Sequence, residues 1–320
     1  MLLSFDETSK LISSGSLLHI AGAANLLKKL PKGNWIGGST EYFMAEGGGK
    51  ITNESLSVMK LPGDNYKINV YDEDSISNVT DDAFDNGFSI IILPFDSKVH
   101  VKYADKASEF KGMFMKNIVG WVSGFNLGVQ GQTPISVNGQ EEKIFADKAV
   151  ALHISVPNDK LVSIGIVNIF TQDETAPLIE FTNEGFSVKT CRVDGKEVVF
   201  ADYIAQNNID TKIPLVGDYS GVGVNVSFKS IENGQVNLYA PVFCGIKYRM
   251  AKPIKNYEKE FISQLESIKN ITAVFTCNCI LNFLYGELEG KNFDSFFGPI
   301  TFGEVAYQLL NQTLVYVTVS

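Results

Sequence analysis

Four cysteines, three histidines and two tryptophans are all that 320 residues supply of these types. His19, His100 and His153 stand far apart, and neither a His-x-x-x-His nor a Cys-x-x-Cys spacing occurs, which removes the usual sequence signatures of a metal site. No metal or other cofactor is expected. Basic tracts are missing as well: 27 Lys+Arg against 36 Asp+Glu give a formal charge of -9, and phosphate-backbone affinity needs clustered cations. Nucleic acid is therefore not an expected partner. Long apolar runs are also lacking. Stretches such as Ser89-Ile90-Ile91-Ile92-Leu93 are strand length, far short of the roughly 20 residues that cross a bilayer, so no membrane insertion is expected. Met1-Leu2-Leu3-Ser4-Phe5-Asp6-Glu7 places acids where an export signal carries a basic region, which leads to an expected cytoplasmic location. Cys277 and Cys279 are two apart and share one side of a strand, where a simple disulfide is strained. The thiols are expected to stay free and metal-free in a reducing compartment.

What the chain does have is a core. It is 45% apolar and 20% charged, with a mean hydropathy of +0.05, the balance of a globular protein. Three stretches alternate strand and helix. In the first, apolar Leu17–Gly22 is followed by helical spacing over Ala23–Leu30 and a second strand over Asn34–Thr40. In the second, Phe88–Phe95 precedes an amphipathic Tyr103–Met115 and then Asn117–Gly124. The third has a helix over Tyr257–Lys269, a strand over Ile271–Cys277, a helix over Ile280–Leu288, then Gly298–Val305 and a further helix through Ala306–Leu310. Between them, Asn138-Gly139, Asp194-Gly195 and Asn233-Gly234 lie among β-branched residues and predict tight hairpins. The expected class is mixed α/β, with two packed α/β parts, mixed sheets and antiparallel hairpins. The linker-like Gln172–Pro177 sets the expected division at 1–176 and 177–320. The strands over Ile271–Cys277 and Thr313–Thr318 are too apolar to face solvent, so the two parts are expected not to behave as independent beads.

The order of these pieces resembles the FIST sensory domain, a ligand-binding module found beside signal-transduction proteins. Trp35-Ile36-Gly37-Gly38-Ser39-Thr40 and Val119-Gly120-Trp121-Val122-Ser123-Gly124 are similar to its glycine-rich strand ends. Val193-Asp194-Gly195-Lys196-Glu197-Val198 through Tyr203 is similar to its hairpin leading into a helix. Phe275-Thr276-Cys277 and Gly298 through Gly303-Glu304-Val305 are similar to its Cys-bearing strand and terminal Gly-Glu turn. The chain departs from that pattern after Cys277, where it has no Arg-Gly to hold a ligand carboxylate. The resemblance implies a FIST N-terminal-like part over 1–176, a C-terminal-like part over 177–320, and a small ligand.

Residue chemistry gives the same candidate site. A Gly followed by Ser or Thr at a strand end lets backbone N–H groups approach a ligand and adds a hydroxyl. Gly37, Gly38, Ser39 and Thr40 meet that need once, and Ser123 with Gly124 a second time; tight turns leaving a sheet would read the same way. Trp35 and Trp121 are core anchors or ligand stackers. Cys277 and Cys279 are buried small hydrophobes or, with a base brought near, nucleophiles. Glu304 either pairs with a ligand amine or caps the helix expected after it. Ser39, Thr40, Ser123, Cys277 and Glu304 are expected to line one cavity. The expected function is a sensory module for a small polar metabolite such as an amino acid, passing its state to a separate signalling partner; the alternative is a thiol-dependent acyl-transfer enzyme using Cys277 or Cys279.

Overall fold

The computed structural model describes residues 1–63, 65–291 and 295–320. It is a mixed α/β protein with two compact units. The first holds Met1–Val167, Ile262–Leu309 and Thr313–Ser320; the second holds Asn168–Phe261 with Leu310–Gln312. This division differs from the expected break at 176. The chain leaves the first unit after Val167, so the linker-like Gln172–Pro177 lies inside the second unit, and nothing in its composition reveals that the chain returns.

Each of the three strand–helix stretches contains a parallel strand pair, all in the first unit. Leu18–Gly22 pairs parallel with Trp35–Ser39, Gly87–Pro94 with Ile118–Ser123, and Phe275–Cys279 with Gly298–Thr301. Parallel neighbours cannot be joined by a tight turn, so the chain must cross over between them, with short helices on the way. Each pair sits inside a six-stranded sheet otherwise completed by antiparallel strands. In the second of these sheets, Ile90, Ile91, Ile92 and Leu93 are fully buried, as expected of a strand covered on both faces.

Side-chain alternation then decides which faces meet. Leu18 and Ile20 point into a cluster with Ile12, Leu27, Trp35, Leu56 and Val137. His19 points the other way, with its ring 5.2 Å from Phe275 and 5.6 Å from Trp121. The helix Phe5–Ser13 closes the first cluster, and its start is fixed by a capping box in which Ser4 and Glu7 satisfy each other's backbone N–H.

Gly38 lies where two sheets approach. A Cβ there would stand 2.6 Å from Ile92 Cγ2 and 2.7 Å from Trp121 Cη2, closer than any real contact. This glycine therefore makes room for Trp121. Gly38→Ala is expected to cost about 3 kcal/mol, the upper range for overpacking a filled core, read as a shift in the denaturant midpoint. A change within about 0.5 kcal/mol, as at unconstrained positions, would return Gly38 to a ligand-approach role.

The second unit is built on antiparallel hairpins. Thr190–Val193 pairs with Lys196–Val199 across Asp194-Gly195, and Phe228–Glu232 with Gln235–Val242 across Asn233-Gly234. Both residues of each turn have positive φ, 47° and 79° in the first and 52° and 73° in the second, the geometry that matches strand twist and favours Asn or Asp followed by Gly. In the first unit Ser136–Asn138 also pairs with Lys143–Phe145, but Asn138 is the last strand residue and the connection is the longer loop 139–142, with positive φ at Glu142 (54°), in place of the tight turn expected at Asn138-Gly139. Phe181, Phe200, Phe228 and Tyr248 interlock in the second unit, with neighbouring rings 5.3 to 6.2 Å apart.

Two expected helices are corrected. The amphipathic stretch expected over Tyr103–Met115 is instead a helix at Lys98–Lys106 followed by two 3-10 turns, Ala107–Glu109 and Met113–Met115, with Gly112, at φ 74°, leading into the second. The helix expected after Glu304 is absent: Glu304–Ala306 and Gln308–Leu310 are strands, separated by Tyr307 at φ 65°. The pairing of Glu304 with Trp121 and Val305 with Gly120 overrides the local pattern.

Candidate functional site

Leu18–Gly22 and Trp35–Ser39 run side by side in one direction, and Ile118–Ser123 ends near them. At these carboxyl ends lies a pocket of about 390 Å³, lined among others by Lys28, Ser39, Thr40, Glu41, Gly124 and Gln132. Four consecutive residues, Ser39 to Tyr42, organise it. The Ser39 hydroxyl donates to Gly124 O at 2.7 Å and accepts from Ile135 N at 2.9 Å, so a single side chain holds both ends of the 124–135 loop. Thr40 Oγ1 donates to Ile300 O at 2.7 Å and accepts from Tyr42 N at 3.2 Å. Glu41 holds the middle of the loop: its Oε2 accepts from Asn126 Nδ2 at 2.8 Å and its Oε1 from Gln132 Nε2 at 3.0 Å. The Tyr42 hydroxyl accepts from Leu127 N at 3.0 Å.

The loop thus forms a strap over the strand ends, carrying Leu127 and Val129 exposed to solvent. Of the residues expected at the site, Ser39, Thr40 and Gly124 line this pocket, and the first two spend their hydroxyls on holding backbone. Lys28, Glu41 and the strap were not foreseen. The only signal for them was the acid next to the Gly-Gly-Ser-Thr strand end, since the strap is distant in sequence and rich in glycine.

The other expected residues lie elsewhere. Trp35 is core, with Nε1–H donating to Pro31 O at 2.9 Å. Gly37 faces Ile20 O and the Trp35 ring. Trp121 is fully buried and donates from Nε1 to His19 Nε2 at 2.8 Å. That bond leaves the His19 proton on Nδ1, and burial pushes the imidazole down to about 3, so His19 is neutral. Ser123 is fully buried, and its hydroxyl has no partner among the described residues.

Cys277 and Glu304 belong to a buried polar cluster that does not reach the pocket, which corrects the expectation of one shared cavity. Glu304 Oε1 meets Thr301 Oγ1 at 2.9 Å, and Oε2 accepts from Thr313 Oγ1 at 2.8 Å and Thr313 N at 3.3 Å. Thr301 in turn donates to Asn278 O at 3.2 Å, so a proton on Oε1 completes the chain. Burial drives the Glu304 carboxyl up to about 8, in keeping with that proton. Cys277 donates from Sγ to Gly120 O at 3.4 Å, and burial, reinforced by Glu304 and Cys279, raises its thiol well above the usual range. Among the described residues, no group of three His, Cys, Asp or Glu side chains is arranged to hold a metal ion.

A second network runs inward from another concavity, of about 650 Å³, that Tyr71 and Asp82 line. Tyr71 donates to Asp82 Oδ2 at 2.7 Å, which makes His153 Nε2, at 2.9 Å, the donor to the phenol oxygen. His153 Nδ1 then accepts from Ser89 Oγ at 2.7 Å. Burial pushes His153 down to about 4.

These three groups set an expected pH profile of stability. A histidine held neutral loses stability as pH falls below its free value of 6.5, and an acid held protonated loses it as pH rises above 4.5. Below 6.5 the two histidines outweigh Glu304; above 6.5 Glu304 acts alone. Stability is expected to peak near pH 6.5 and to be about 2 kcal/mol lower two pH units below the peak. Denaturant midpoints across pH check this, and a profile flat from acid to alkaline would contradict it.

No helix among the described residues is long and apolar enough to cross a membrane. No curated protein and no solved structure matches the chain. One family model matches residues 3–320, nearly the whole length, and by that match the chain belongs to DUF6976, a family of unknown function.

Proposed function

We propose that this protein is a cytoplasmic, non-enzymatic binding module whose strand-end pocket takes a small polar metabolite such as an amino acid, and that it passes its state to a separate signalling partner. The pocket carries this reading. At about 390 Å³ it falls in the size range of small-molecule sites. It also sits where strand ends converge, the usual ligand position in α/β sheets. Its wall is pre-organised by Ser39, so little ordering is left for a ligand to impose. The FIST likeness leads to the same proposal through the stretches around Ser39 and Ser123.

The thiol-enzyme alternative draws no support from Cys277 or Cys279. Both are 1% exposed, and a nucleophile needs a thiolate that the surroundings of Cys277 disfavour. A thermal-shift screen against single amino acids and related small metabolites tests the proposal. A ligand present at 100 times its Kd is expected to add about 2.7 kcal/mol to stability. A screen in which no small metabolite raises the midpoint, together with stoichiometric thiol acylation of the native protein, would replace this reading with the enzyme.

A further inference from the structure

Among the described residues, Glu41 is a buried carboxyl group with no ion-pair partner. It is 7% exposed, and none of the ion pairs among the described residues includes it. Its two bonds come from neutral amides, Asn126 Nδ2 and Gln132 Nε2, one on each carboxylate oxygen. A carboxylate offers about four acceptor positions, so each oxygen keeps one position free, and the residue lines the pocket. Buried carboxylates in folded proteins are ordinarily matched by a positive charge, because amide bonds alone replace only part of the lost hydration.

Among the described residues, the only cation lining the pocket is Lys28, which is solvent-exposed and does not pair with Glu41. The pocket therefore presents a buried carboxyl group in its wall and an exposed ammonium beside it.

We propose that the pocket takes its ligand by a cationic group, a protonated amine or a guanidinium, which docks on the free acceptor positions of Glu41. This rests on the reading of the pocket as the ligand site and adds the charge and the orientation of the ligand. Lys28 disfavours a second positive charge, so the rest of the ligand is neutral or anionic. Because Asn126 and Gln132 share the carboxylate, the docked cation bonds the same group that holds the strap, and the strap senses occupancy directly.

Three probes of similar size and different charge test the assignment on the full chain: ethylammonium, propionate and propionamide. The readout is the side-chain amide NMR signals of Asn126 and Gln132, with the backbone signals of Thr40 and Thr133 reporting the rest of the pocket. Ethylammonium is expected to move the two side-chain signals saturably, and propionate and propionamide to leave them in place. Glu41→Gln is expected to weaken the ethylammonium response by about tenfold or more, whereas Glu41→Asp, which keeps the charge, restores part of it.

The proposal is overturned if propionate or propionamide moves the Thr40 and Thr133 signals while ethylammonium does not; the pocket then stands and its charge preference is wrong. It is also overturned if ethylammonium binds Glu41→Gln as it binds the parent, or if all three probes leave every pocket signal unmoved. Should Glu41→Gln fail to fold, the comparison of ethylammonium with propionate on the unaltered protein decides alone.

Discussion

A fragment ending at residue 176 is expected to be insoluble, with no cooperative unfolding transition. The cut falls after the chain has left the first unit and removes Ile262–Leu309 and Thr313–Ser320, which complete it. One sheet of that unit would lose Phe275–Cys279, Gly298–Thr301 and Thr313–Val319, leaving Tyr42–Ala45 and Val162–Asn168 without the strands between them. Another would lose Glu304–Ala306 from beside Ile118–Ser123. Trp121, His19 and Cys277's neighbour Gly120 would be uncovered together, since Phe275 and the Glu304 strand pack on them. Uncovering long apolar edges is a recipe for association. The check is expression of 1–176, with solubility and denaturant unfolding as readouts. A soluble fragment with a single cooperative transition would contradict the two-unit organisation.

Glu304→Gln is expected to stabilise the protein by about 3 kcal/mol at pH 8 and to destabilise it by about 1–2 kcal/mol at pH 4, so that its effect changes sign. At the higher pH the unfolded chain ionises a group that the fold keeps protonated up to about 8, against a free value of 4.5, which costs the native state about 4–5 kcal/mol. Glutamine removes that cost. It keeps an N–H for Thr301 and a carbonyl for Thr313, the two partners that Glu304 now has. Its second N–H is the liability, and at pH 4, where the acid is protonated in both states, only that liability remains. Equal effects at both pH values would mean that Glu304 is ionised in the native protein.

The three strand–helix stretches are legible in the sequence because each is written as two apolar runs separated by helical spacing and a turn; the parallel pairing of their strands is what the fold adds. The Asp194-Gly195 and Asn233-Gly234 hairpins were legible because their turn chemistry is local. What was not legible is long-range. The strand at Glu304–Ala306 has a local pattern that suits a helix start, and its pairing partner is Trp121, far back in the chain. The site divides in the same way. Ser39, Thr40 and Gly124 were found from a rule about strand ends. Glu41 carries no motif, and its importance lies in what does not touch it. Cys277 and Glu304 share the signal of a strand residue near a turn, yet burial places them in a separate polar cluster.

The proposed ligand site is the pocket between the strand ends and the 124–135 strap. Ala24 lines that pocket and takes no part in the hydrogen bonds that hold the strap. The most direct measurement is therefore a side-by-side thermal shift of the unaltered protein and Ala24→Phe, using the metabolite that stabilises the unaltered protein most. A phenylalanine ring there occupies the pocket, so the ligand-induced rise is expected to disappear while the ligand-free midpoint stays close to that of the parent. An equal rise in both proteins would place the ligand elsewhere and contradict the claim.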